Sequence, residues 1–186
     1  MTQDVEDTIP KLGKRMRTAF AAACAERVHI VYLNGVDEPS RFGIECIELA
    51  WAYACRESVD LDDVRSRIEN LDDTLSSIKE RDGRHAWYAM LAVFHALNSV
   101  LDDTHESAIR AGHCSEDAPS FTNDAPEETK IEERKWQLDA LKKALGTPRD
   151  QITRNMFGTQ DFARVAPEED LPKWYHRWQS YEGGIG

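Results

Sequence analysis

The chain has 186 residues, 41% hydrophobic and 31% charged. That excludes a disordered polymer and leaves length for one hydrophobic core without disulfide or metal staples. With 34 acidic and 23 basic residues the formal charge is −11, a field that repels phosphates and attracts basic proteins, so no nucleic-acid partner is expected.

The opening MTQDVEDTIPK lacks the basic and apolar regions of a secretory signal. Thr8 and Pro10 suit a first helical turn. A long apolar segment follows from about Met16 to Leu33, and Asn34-Gly35 stops it. Residues 34–39 read as a turn, and Ser40 can cap a second helix over about 41–57. A third helix, about 61–80, begins near Asp60. Its apolar residues Leu61, Val64, Ile68, Leu71, Leu75 and Ile78 step by three or four, so it is amphipathic and peripheral. Asp82-Gly83 ends it.

The next helix, His85 to Leu101, is apolar nearly all round and is expected to be the central, most buried one. Asp102 or Asp103 can cap a short fifth helix ending at Ala111. Residues 112–124, GHCSEDAPSFTND, are rich in turn formers and read as an exposed loop. Asp124, Pro126 and Glu127 mark the sharp start of a sixth helix that stops at Gly146. The pattern predicts an all-α fold, a bundle of about six helices over residues 1–146. Residues 147–186 form a C-terminal extension packing on the bundle, with short helices near 149–157 and 170–181. No run of about 18 apolar residues occurs, so no membrane span and a cytoplasmic location are expected.

The chemistry-bearing motifs are few. No GxGxxG, GxxxxGK[ST], GxSxG or HExxH is present. Cys24, Cys46, Cys55 and Cys114 form no CxxC pair and read as reduced small hydrophobes. Glu-x-x-His pairs can build metal sites in helical bundles. The nearest forms here are Asp82-x-x-His85 and Asp102-x-x-His105, with His95, Glu26, Glu45 and Glu48 on neighbouring helices. Both Asp-x-x-His pairs straddle helix boundaries, so the reading is no enzyme, no metal and no cofactor. A helical metalloenzyme is the rival. Asn98 reads as an amide that pins helix register, and Glu26 and Arg27 as buried charges held in intramolecular ion pairs.

Two surfaces are candidate partner sites. The first is acidic: Asp60, Asp62, Asp63, Asp72 and Asp73 on the third helix, off its apolar stripe. A basic protein would be steered and oriented by such a face. Further acidic groups at Glu116-Asp117, at Glu127, Glu128, Glu132 and Glu133, and at Glu168–Asp170 read as solvated. The second is aromatic: Trp174, Trp178 and Tyr181, spaced i, i+4, i+7, with Tyr175 beside them. These either dock the last helix or anchor a partner, and a self-associating adaptor is the third reading.

The stretch TAFAAACAERVHIVYLNGVDEPSRFGIECIELAWAYA resembles the opening of small all-helical immunity proteins of bacterial polymorphic toxin systems. In these, a helix of the form F-A-x-x-x-A-E-R precedes a second helix carrying a tryptophan. The pattern falls on Phe20, Ala25, Glu26, Arg27 and Trp51, and the likeness spans residues 18–112. It implies a protein that binds a cognate toxin, here a basic one such as a nuclease, and neutralises it by direct contact. Glu26 and Arg27 then mark the fold rather than the toxin contact.

Overall fold

The computed structural model describes residues 3–35, 41–81, 83–120 and 126–158. Seven α-helices and two 3-10 turns make up the described residues, without a strand. They are α1 (Gln3–Thr8), α2 (Lys14–Gly35), α3 (Arg41–Ala54), α4 (Leu61–Arg81), α5 (Gly83–Leu101), α6 (Glu106–Ser120) and α7 (Pro126–Gly146). The all-α expectation holds, while the helix count rises to seven because α1 precedes the six expected. None of the helices is long and apolar enough to cross a membrane among the described residues.

The 85–101 helix is central as expected, since α5 packs on α2, α3, α4 and α6, but it is not the most buried, because α2 is more fully enclosed. Every residue from Thr18 to His29 is buried, and α3, α5, α6 and α7 all pack on it. The reason is size. Ala19, Ala21, Ala22, Ala23 and Ala25 are strong helix formers whose small side chains let helix backbones approach from several sides. By contrast α5 buries Ala86, Ala89, Met90, Ala92, Val93, Ala96 and Leu97 but leaves Trp87, Tyr88, Leu91 and Phe94 half-buried.

The boundary predicted at Ala111 is also overturned. Residues 112–120 continue α6 as helix and are largely buried. The small Gly112, Ser115 and Ala118 let α6 close on its neighbours. Gln137 of α7 then donates to the Gly112 carbonyl and to the Ser115 hydroxyl, both at 2.9 Å. Tertiary contact overrides the turn-forming composition. Glu116, expected on a solvated surface, is 2% exposed and accepts a charged hydrogen bond from Arg134 at 2.9 Å.

After α7 the chain turns at 147–150, buries Ile152, and forms a 3-10 turn, Arg154–Phe157, in place of the helix expected near 149–157. Gly158 ends it with φ of 72°, a conformation that suits glycine. Met156 and Phe157 are buried, and Phe157 meets the Trp51 ring at 6.2 Å. The 3-10 turn thus lies against α2 and α7. Ser40, Asp82, Asp124 and the segment 170–181, with Trp174, Tyr175, Trp178 and Tyr181, lie outside the described residues.

Candidate functional site

Helix α4 carries the acidic face. Val64, Leu71, Leu75 and Ile78 are buried on one side, against α5. The opposite side exposes Asp62, Asp63, Glu69, Asp72 and Asp73. The five predicted aspartates divide into two groups with different duties. Asp60 caps the helix, accepting the Asp62 amide at 2.9 Å. Asp62 pairs with Arg65, and Asp63 accepts Arg67 Nε on both carboxylate oxygens at 3.1 Å. Asp72 and Asp73 sit two to three turns further on, and among the described residues no ion pair reaches them.

The structure adds Glu69 to this set, likewise exposed and without a cation among the described residues. Asp62, Glu69 and Asp73 stand at i, i+7 and i+11, so they share one face over about 16 Å of helix. That spacing is legible in the sequence, but clustering of adjacent aspartates draws attention away from the lone glutamate.

Beside α4 lies an open cleft of about 490 Å³, bounded by α3, α4 and the 3-10 turn. Glu45, Glu48 and Glu57 line it together with Trp51, Arg67 and Arg154. Two guanidinium groups stand in its walls, each held by carboxylates. Arg67 bridges Asp63 and Glu45, tying α4 to α3. Arg154 reaches Glu26 Oε1 at 3.2 Å, while the other oxygen, Oε2, accepts the Trp51 indole N–H at 3.1 Å. Glu26 is fully buried on α2, so this triad fastens the 3-10 turn to the central helix.

A second buried pair lies on the far side of α2. Glu133 of α7, expected on the solvated surface, is fully buried because Arg27 Nε donates to both of its oxygens, and the Arg27 guanidinium stacks over the Trp136 ring at 4.7 Å. The expectation of intramolecular ion pairs for Glu26 and Arg27 thus holds, with a different partner for each.

Among the described residues, those of the metalloenzyme rival do not converge. Asp102 spends its oxygens on Thr104 and Ser107, accepting from both amides and both hydroxyls. Burial opposes its ionisation, but these hydrogen bonds prevail and hold its carboxyl at about 2. His95 is half-buried beside Phe94. Burial, aided by the Arg110 charge and opposed by Glu106, lowers it to about 4. Among the described residues no group of three His, Cys, Asp or Glu side chains could hold a metal ion. Asn98 donates to the Phe94 carbonyl within its own helix. Burial pushes the Cys46 and Cys114 thiols up to about 12 and raises Cys24 as well, so none of them is an activated thiolate.

No family model, no characterised protein and no solved structure matches this chain.

Proposed function

We propose that this chain is an immunity protein, a cytoplasmic binding protein that neutralises a cognate bacterial toxin by direct contact. The observation that carries the reading is the outer face of α4. It is a peripheral helix whose inner side is core and whose outer side exposes Glu69, Asp72 and Asp73, which no ion pair reaches among the described residues. Such a face on a chain of net charge −11 speeds encounter with a basic partner and orients it. The inner side of α4 is packed on α5, which supports the same reading, because a preformed helical surface loses little entropy on docking.

A basic nuclease is the toxin class this face fits best. Its phosphate-binding groove presents lysines and arginines, and carboxylates at helical spacing can occupy that groove in place of phosphates. By residue type, Trp174 and Trp178 complete the proposed contact set as aromatic anchors.

Capture from the cells of origin with this chain as bait tests the proposal. The expected result is one stoichiometric partner that kills cells when expressed alone and is neutralised when this chain is co-expressed. A partner without toxicity, or toxicity that this chain does not relieve, contradicts it.

A further inference from the structure

Arg27, Arg65, Arg67, Arg110, Arg134 and Arg154 are each held by a carboxylate. Arg15, Arg56 and Arg149 have no ion pair among the described residues, and all three line one pocket of about 240 Å³. They reach it from separate parts of the chain: the start of α2, the residues just after α3, and the turn after α7. Lys14 is the fourth cation in the wall. Its partner Asp103 is 91% exposed, and an ion pair so open to water contributes little, so Lys14 is free to exchange it for a better anion.

Folding stability does not account for this arrangement. Like charges around one pocket repel one another. Glu57 and Asp150 stand next in sequence to Arg56 and Arg149, yet neither forms an ion pair with them. The first turn of α2 holds Lys14, Arg15 and Arg17 and no acid, against the preference of a helix start. Arg56 has a φ of 68° and is the only non-glycine residue with positive φ among the described residues. Glycine usually fills that left-handed position after a helix, and a side chain there is strained.

The guanidinium groups are nevertheless held in place, by groups that leave their charge uncompensated. Arg15 Nη1 donates to the Tyr53 carbonyl at 2.6 Å, and its guanidinium covers the Tyr53 ring at 4.9 Å. Arg56 Nη2 donates to the Arg149 carbonyl at 3.3 Å. Gly13 makes room for Arg149, since a Cβ there would lie 3.3 Å from Arg149 Nε. Most of the N–H donors of the three arginines thus stay unused among the described residues.

We propose that this pocket binds a small soluble polyanion through a phosphoryl group, held by Arg15, Arg56 and Arg149 with Lys14 as a fourth cation. Guanidinium forks match phosphoryl oxygens two at a time. Sites for drug-sized ligands begin at about 300 Å³, so this smaller pocket suits pyrophosphate or a small phosphorylated metabolite better than a nucleotide. Tyr53 and Ile152 offer the body of such a ligand an apolar wall. The net charge of −11 opposes a polynucleotide or an anionic bilayer, which would meet the whole field of the chain, whereas a small anion meets the local one. No residue of the α4 face takes part, so the proposal stands or falls independently of the toxin reading.

Calorimetric titration of the full chain with pyrophosphate, in a buffer without other polyvalent anions, is the test. One saturable site per chain is expected. Arg56→Gln and Arg149→Gln, both at exposed positions, should each weaken it about tenfold or more with unchanged circular dichroism. Lys143→Gln makes the same change of charge at an exposed position outside the pocket and should leave the affinity unchanged. Vesicles of phosphatidylglycerol should not sediment with the chain. Absence of saturable pyrophosphate binding overturns the proposal, as does binding that both arginine variants leave intact or that Lys143→Gln weakens equally. Sedimentation with the vesicles that Arg56→Gln abolishes would assign the pocket to a lipid headgroup and overturn the soluble ligand.

Discussion

Arg27 Nε lies 2.6 and 2.8 Å from the two carboxylate oxygens of Glu133, which joins the central helix to α7 across 106 residues of sequence. Both side chains are almost fully enclosed, at 8% and 0% exposure. Removing one partner strands the other charge in a dry interior. Glu133→Gln is therefore expected to destabilise the fold by about 3–5 kcal/mol. Replacing both, Arg27→Met with Glu133→Leu, is expected to destabilise it far less, because neither charge is left behind. Urea denaturation of the three proteins measures this. A single variant as stable as the double one contradicts it.

Gly43 is a packing requirement. A Cβ placed there would lie 2.5 Å from His29 Cε1 and 3.2 Å from the Met90 methyl. His29 is fully buried on α2 and has little room to withdraw. Gly43→Ala is expected to lose about 1–3 kcal/mol despite the better helix propensity of alanine. Gly146→Ala is the control, since nothing lies within 4 Å of its Cβ. It should stay within about 0.5 kcal/mol of wild type. Thermal or chemical denaturation separates the two, and equal effects would contradict the packing account.

His95 makes stability pH-dependent in one direction. Unfolded, its imidazole takes up a proton near the ordinary value of about 6.5. Folded, burial and the Arg110 charge delay this to about 4, with Glu106 opposing. Between those values the unfolded chain binds more protons. The contribution of His95 is thus fully present above about pH 6.5 and lost as the pH falls towards 4. His95→Gln should show a smaller drop in urea midpoint between pH 7.5 and pH 5 than wild type. An equal drop in both proteins would remove His95 as its source.

Much of the architecture is readable from periodicity, and the misreadings share a cause. The α4 stripe and the stop at Gly146 follow from local pattern, and both stand in the structure. The continuation of α6 through Gly112, Ser115 and Pro119 does not, because it depends on small residues meeting Gln137 of another helix. The same holds for Glu116. Beside Asp117 it reads as surface, yet Arg134 draws it into the interior. The all-round apolar pattern of the 85–101 helix marks it as central, and it does pack on four helices, but the fuller enclosure of α2 depends on alanines that let backbones approach closely. On the candidate face, the aspartate pairs stand out in the sequence. Which of them are already used is a geometric matter, since Asp62 and Asp63 are engaged by Arg65 and Arg67 whereas Asp72 and Asp73 are not.

The most direct test of the proposed role is the association rate with the captured toxin, followed as ionic strength rises. The wild-type chain is expected to associate fast at low salt and to slow steeply as salt is added. The variant Glu69→Gln, Asp72→Asn, Asp73→Asn changes only exposed side chains, so its fold and stability should be unchanged. It should associate about tenfold or more slowly at low salt, with a flatter salt dependence. Identical rates and salt dependence in the two proteins would contradict α4 as the docking face.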